Sequence, residues 1–142
     1  MQLKCYGRDM ADETRPEPAF LATVGLVLDS ASPTELLGHV DAGPAHHTPW
    51  GIVHGGFYAT VIESAASLGA SLAVEPDGKF AVGVNNQTDF LRPHREGRLQ
   101  VVARPIQQGR TLQLWLVELT NTAGKIVARG QVRLANQPLP GT

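Results

Sequence analysis

The sequence predicts an α+β fold in which an antiparallel β-sheet curves around one long central helix. Three observations predict it. Residues 55–74, GGFYATVIESAASLGASLAV, form one run of small and apolar residues too long for a strand. Four stretches after it alternate apolar and polar residues with turn signals between them. Two shorter apolar stretches come before it, which makes one helix among six strands.

In chain order, residues 1–19 are polar, with Pro16 and Pro18, and are expected to be a loosely ordered lead-in to a single domain over 20–142. Residues 20–29 and 35–41 read as strands around a turn at Ser30–Thr34, because Pro33 has no N–H to give to a central ladder. DAGPAHHTPWG, residues 41–51, is a loop by its glycines and prolines. The helix over 55–74 carries apolar side chains on nearly every face, so it is expected to be buried on several sides. Glu75-Pro76-Asp77-Gly78 ends it, since proline cannot continue the ladder and Asp-Gly turns. Strands follow over Phe80–Leu91, Arg98–Ile106, Leu112–Thr120 and Ile126–Leu134, with turns at Gln107–Arg110 and Asn121–Gly124. Leu112, Leu114 and Leu116 share one strand face.

The chain has 142 residues, 42% of them hydrophobic, enough for a core without staples. Its lone Cys5 excludes an intramolecular disulfide and fits a reducing compartment. No charged segment followed by an apolar one opens the chain, so no secretory signal and a cytoplasmic location are expected. Residues 55–74 are long enough to span a bilayer, but Glu63, Tyr58, Thr60 and three serines argue against a membrane. The net charge of −1 hides an asymmetry: residues 1–91 hold 4 Lys/Arg against 11 Asp/Glu, and residues 92–142 hold 8 against 2. Either the basic half is a set of solvated strands, or it supplies a positive field for an anionic ligand. Its cations are not interleaved with aromatics, so nucleic acid is not expected, and a phosphorylated small molecule fits better.

The long helix raises the functional question. It opens on His54-Gly55-Gly56 without a Ser, Thr, Asp or Asn cap, which leaves first-turn N–H groups as donors for an anion or oxyanion. The other reading is that both glycines let the helix pack against a strand. Glu63 stands amid Ala, Val, Ile and Ser, with no cation three or four residues away and Ser67 one turn on. It either points to solvent or is a partly desolvated acid held at a cleft as nucleophile or general base. Gly55 and Glu63 lie 8 residues apart, about 12 Å along a helix. An acid and an oxyanion donor acting on one carbonyl must both come within about 3 Å of it. One chain cannot do that with these residues, so an enzyme reading requires a dimer.

Together these residues resemble the hotdog-fold acyl-CoA thioesterases, in particular the branch with 4-hydroxybenzoyl-CoA thioesterase of the Arthrobacter type and the phenylacetate-pathway enzymes. The matching text is Pro49-Trp50-Gly51-Ile52-Val53-His54-Gly55-Gly56, followed by Glu63 and Ser67 at the family's spacing and by VGVNNQTDFLRPHREG over 82–97. The resemblance implies that the Gly55 N–H polarises the thioester carbonyl and that Glu63 attacks it or activates water. It implies that His54 orients the thioester region, beside Gly56, and that Ser67 supports the acid. Thr48 stands where relatives often carry Gln or Asn, and Asp89 stands where some carry His facing the acyl group. Trp50 reads either as a packing residue or, from its place beside the helix start, as a wall of the acyl pocket. Arg92 and the turn containing Gly109 and Arg110 would lie near the nucleotide. The implied substrate is an acyl-CoA, with no separate cofactor; the implied partner is a second copy, with a homodimer as minimum unit and a homotetramer expected.

Other chemistries lack their motifs. His46 and His47 are adjacent and diverge on an extended chain, so no metal is expected. There is no G-x-S-x-G elbow and no P-loop pattern. A non-catalytic acyl-CoA-binding module and a hydratase remain as alternatives on the same fold.

Overall fold

The computed structural model describes residues 18–140. The lead-in expected over 1–19 lies outside the described residues except for its last two positions. Chain order is α1 (Ala19–Val24), β1 (Val27–Ser32), β2 (Glu35–Ala42), a 3₁₀ turn at Pro44–His46, α2 (Gly55–Val74), a second 3₁₀ turn at Glu75–Asp77, β3 (Lys79–Phe90), β4 (Gly97–Gln108), β5 (Leu112–Thr120) and β6 (Ile126–Pro138). The strands form one antiparallel six-stranded sheet in the order β1-β2-β4-β5-β6-β3, with β1 and β3 at its edges. This is the curved sheet around one long helix that the sequence predicts, and it is the hotdog architecture.

The first expected strand is corrected. It begins only at Val27, because Ala19–Val24 is a short helix. Gly25 closes that helix in the left-handed region at φ 70°, its N–H donating to Leu21 O at 2.9 Å. Period alone does not separate helix from strand in so short an apolar run; the glycine decides.

α2 lies against the concave face of the sheet and buries Tyr58, Val61, Ile62, Ala65, Ala66 and Ala70 among others. It is long and apolar enough to cross a bilayer, but here it is the core helix of the fold. Small residues on the helix and on the sheet set how closely the two approach. A Cβ on Gly69 would come within 2.5 Å of the fully buried Trp115 ring, and one on Gly130 within 2.9 Å of Ile62. In β5 the helix-facing side chains are Gln113, Trp115, Val117 and Leu119. Leu112, Leu114 and Leu116 do share a face, and it is the outer one. β4 runs past Pro105 because the register shifts between Pro105 and Gln107, which absorbs the missing N–H.

Candidate active site

The start of α2 is held by the loop before it. His47 and Val53 form an isolated bridge, the His54 N–H donates to His46 O at 2.8 Å, and the Val53 N–H donates to His94 O at 2.8 Å. His54 is the N-cap. Its ring Nδ1 accepts from the Gly56 N–H at 2.8 Å, and its carbonyl accepts from the Phe57 N–H at 3.0 Å. The expectation of open first-turn N–H groups therefore narrows to one: the Gly55 N–H makes no hydrogen bond among the described residues. It stands at the positive end of a 20-residue helix. Because Nδ1 accepts, the neutral His54 ring carries its proton on Nε2, and the ring is exposed.

An aromatic cluster covers this helix end. A Cβ on Gly55 would fall 2.3 Å from the Phe90 ring, so the glycine is what lets that ring lie over it. Ring centroids then step from Phe90 to Tyr58 at 5.9 Å, from Tyr58 to Phe57 at 6.1 Å, and from Phe57 to His46 at 4.2 Å. The Tyr58 hydroxyl is buried without a partner among the described residues, and burial pushes its pKa up.

Glu63 is exposed and makes no hydrogen bond or ion pair among the described residues. Of its two sequence readings, the single chain shows the solvent-facing one. Its Oε1 lies 3.1 Å from the place a Cβ on Gly83 would occupy, so Gly83 makes room for the carboxylate on β3. Ser67 is partly buried and does not bond to Glu63. The seam between α2 and β3 orders these residues. Gly55 sits by Phe90, the Asn86 Nδ2 donates to Ala59 O at 3.0 Å, Glu63 sits by Gly83, and the Ala81 N–H donates to Ser71 Oγ at 3.0 Å. Both candidate groups therefore lie along the edge strand of the sheet.

The remaining candidates fall in several places. Thr48 is occupied as a turn former: its hydroxyl accepts from the Trp50 N–H at 3.3 Å, and its N–H donates to Ile52 O at 2.7 Å. Trp50 is 80% exposed, so within one chain it walls nothing. Asp89 is corrected. Thr88 and its register partner Gly130 face Ile62 on α2, so Asp89 and its partner Arg129 point to the outer face, away from Gly55. There they line a shallow cleft with Gln87, Leu116 and Gln131. Arg92 and the Gly109–Arg110 turn are also not together. Arg92 follows β3 where Phe90 pairs with Ala128, whereas Leu112, just after the turn, pairs with Ala135. Those β6 positions are 7 residues apart, about 23 Å along a strand.

Among the basic residues, Arg98 pairs with Asp41 and Arg104 with Glu35, both at the surface. Arg92, Arg110, Arg129 and Arg133 have no ion pair among the described residues. His46 and His47 do diverge: their Nε2 atoms reach Thr23 O at 2.7 Å and Arg95 O at 2.6 Å. No group of three His, Cys, Asp or Glu side chains suited to a metal occurs among the described residues. The sequence reading missed Phe90, Tyr58 and Gly83. Their signals were an aromatic closing a strand, a phenol one turn after the helix-start glycine, and a glycine within a strand.

The fold together with its matches defines a thioester hydrolase of the hotdog class. Residues 51–128 match the Thioesterase superfamily profile, and the chain belongs to that superfamily. The solved structure of a Mycobacterium tuberculosis protein provisionally named an esterase is 40% identical, with TM-score 0.81, covering 84% of this chain and 96% of that one. AziG of S. sahachiroi is 38% identical, with TM-score 0.82, covering 88% of this chain and all 100% of that chain. Mouse acyl-coenzyme A thioesterase 13 is 31% identical over 108 residues, 75% of this chain and 76% of its own.

Proposed function

We propose that the chain hydrolyses an acyl-CoA thioester to a carboxylic acid and free coenzyme A. The Gly55 N–H serves as oxyanion donor, and Glu63 is the nucleophile or the general base. The observation that carries this reading is the bonding at the helix start: His54 occupies the neighbouring N–H groups and leaves one donor, on Gly55. That N–H would strengthen its bond as the carbonyl oxygen gains charge, which is the differential binding that lowers a barrier. Glu63 would add to the carbonyl carbon or take a proton from water, with coenzyme A leaving as its thiolate.

The site is proposed to be shared by two chains. Gly55 and Glu63 lie on one helix, about 12 Å apart, and both border β3, an edge strand of 12 residues with Val82 and Val84 exposed. An edge of that length invites pairing. A two-fold axis level with Ala59 and Asn86, midway between the two groups, would bring one protomer's Gly55 opposite its partner's acid. The same axis would bring Arg92 of one protomer toward the Gly109–Arg110 turn of the other, so a common nucleotide seat is consistent with dimers. We extend the proposal to pairing of dimers into tetramers and to a cytoplasmic location.

For the acyl group we propose aromatic or medium-chain substrates, as in the Arthrobacter-type and phenylacetate branch. The rings of Phe90, Tyr58 and Phe57 beside Gly55 support it, as does 26% identity over 113 residues to a Listeria monocytogenes 1,4-dihydroxy-2-naphthoyl-CoA hydrolase. A second reading, an acyl-CoA-binding module without turnover, is favoured by Thr48, whose hydroxyl is engaged in a turn. A panel of aromatic and aliphatic acyl-CoAs with a thiol reagent separates the two. Turnover that falls on the order of 10²-fold or more in Glu63→Ala is the expected result. Binding without thiol release across the panel favours the second reading, and near-normal turnover by Glu63→Ala ends the role given to that residue.

A further inference from the structure

Beside the C-terminal half of α2, a buried polar relay runs from the core to the surface turn between β4 and β5. Gln113 is 2% exposed. Its Oε1 accepts from the Trp115 indole N–H at 2.9 Å, and its Nε2 donates to Ala70 O at 3.0 Å and to Asn136 Oδ1 at 2.9 Å. Asn136 Nδ2 then donates to two consecutive turn carbonyls, Gly109 at 3.0 Å and Arg110 at 3.1 Å. The Asn136 N–H adds a bond to Thr111 O at 2.9 Å. The turn also closes on itself, the Gly109 N–H donating to Leu112 O at 2.8 Å, and a Cβ on Gly109 would fall 2.7 Å from that oxygen.

A surface hairpin needs none of this, because water satisfies exposed turn carbonyls. A core glutamine, by contrast, has to be fully bonded, since each unmet polar group there is costly. Tying such a residue to an exposed turn fixes where the turn stands. Beside the turn opens a cleft of about 350 Å³, lined by Gln107, Gly109, Thr111, Leu112, Leu114 and Arg133 and by Gln113, whose side chain is turned to the helix. Arg110 and Arg133 are exposed and without ion pairs among the described residues, so two uncompensated cations flank a rigid rim. Phosphate recognition by arginine depends on the placing of its planar fork, and a rim ordered in advance loses less freedom when a ligand binds.

We propose that Gln113 and Asn136 are positioning residues that hold the Gly109–Arg110 turn as the seat for the nucleotide phosphates of coenzyme A. The proposal rests on the acyl-CoA reading above, but not on catalysis. It places the phosphate seat on the protomer that supplies Glu63. Ala70, which the relay grips, is 7 residues from Glu63 on the same helix, about 10 Å along the axis.

The test compares calorimetric affinities for free coenzyme A and for pantetheine, which lacks the nucleotide, in the full chain and in Asn136→Ala, Arg110→Ala and the double variant. The unaltered protein is expected to prefer coenzyme A. Asn136→Ala should weaken coenzyme A roughly tenfold, while pantetheine changes by less than about twofold. The double variant should bind coenzyme A no worse than Arg110→Ala, because both changes act through one contact. Trp115 emission reports whether the fold survives; if Asn136→Ala unfolds, Asn136→Ser, too short to reach both carbonyls, takes its place. The proposal is overturned if the unaltered protein binds both ligands alike, if Asn136→Ala weakens both equally or neither, or if the two substitutions multiply in full. Absence of thiol release from every thioester, with the coenzyme A preference intact, would instead sink the hydrolase reading and leave the relay standing.

Discussion

Deleting the Gly55 N–H without disturbing the helix would measure what that group does. Proline performs the deletion, and Gly55 is the first residue of α2, where proline is well tolerated. His54 before it has φ −67° and ψ 136°, within the region that a residue preceding proline prefers. The complication is the new side chain, since a Cβ at 55 meets the Phe90 ring at 2.3 Å. Phe90 is 58% exposed and can swing outward, and Gly55→Ala displaces it in the same way while keeping the N–H. The ratio of kcat between Gly55→Ala and Gly55→Pro therefore isolates the donor. One oxyanion-hole donor is worth about 10²–10³ in kcat, or roughly 2.7–4 kcal/mol, and KM should move little, since the bond matters most as charge develops. The assay is thiol release from the best acyl-CoA of the panel. If Gly55→Pro turns over within about threefold of Gly55→Ala, Gly55 is not the oxyanion donor.

The same variant tests whether the site is shared. Gly55→Pro and Glu63→Gln chains are each expected to be nearly inactive. Unfolded together and refolded at equal amounts, half the dimers would be mixed, and each mixed dimer would hold one intact site of two, giving about a quarter of the unaltered activity. Sites built within one chain predict no recovery.

Two further outcomes concern the helix itself. His54→Ala removes the ring acceptor from the Gly56 N–H and should cost about 0.5–2 kcal/mol by urea unfolding, whereas His54→Asn, a good capping residue, should restore most of it; equal losses would show that the cap contributes nothing. Gly69→Ala gains up to about 1 kcal/mol of helix propensity, but forces a Cβ to 2.5 Å from the Trp115 ring. Overpacking of this kind costs about 1–3 kcal/mol, so the net change should be a loss, read as a lower melting temperature, and a rise in Tm would contradict the packing described.

How much of this was legible in the sequence follows the range of the interactions. The helix, a run of small and apolar residues too long for a strand, and the four strands after it, of period 2, are local patterns, and both survive folding. Ala19–Val24 did not read correctly, because six apolar residues fit either element and only Gly25 in its left-handed turn settles the matter. The face of Asp89 was not legible for a similar reason. Which face a strand residue takes depends on register, here fixed by Gly130 meeting Thr88 and Ile62 across the sheet. His54 and Gly55 were named as candidates, but which N–H of the first turn the imidazole would occupy was not legible. That the imidazole accepts from Gly56, leaving Gly55 alone, is a matter of backbone direction at one helix turn. Gln113, Asn136 and Gly109 are far apart in sequence, and no spacing rule joins them.

The exposed state of Glu63 looks at first like an argument against catalysis, because a solvated carboxylate is a weak nucleophile and a weak base. The surroundings point the other way. Gly83 gives up its side chain where the carboxylate lies, Phe90 covers Gly55 yet is itself more than half exposed, and Val84 bulges from the strand between them. Apolar groups left open along an edge strand are costly unless something covers them. A second chain added there would desolvate Glu63 and exclude water from the Gly55 N–H in the same step. Both effects strengthen the electrostatics on which thioester cleavage depends. On the proposed reading the isolated chain holds the two candidate groups apart, and a second chain would bring them into register.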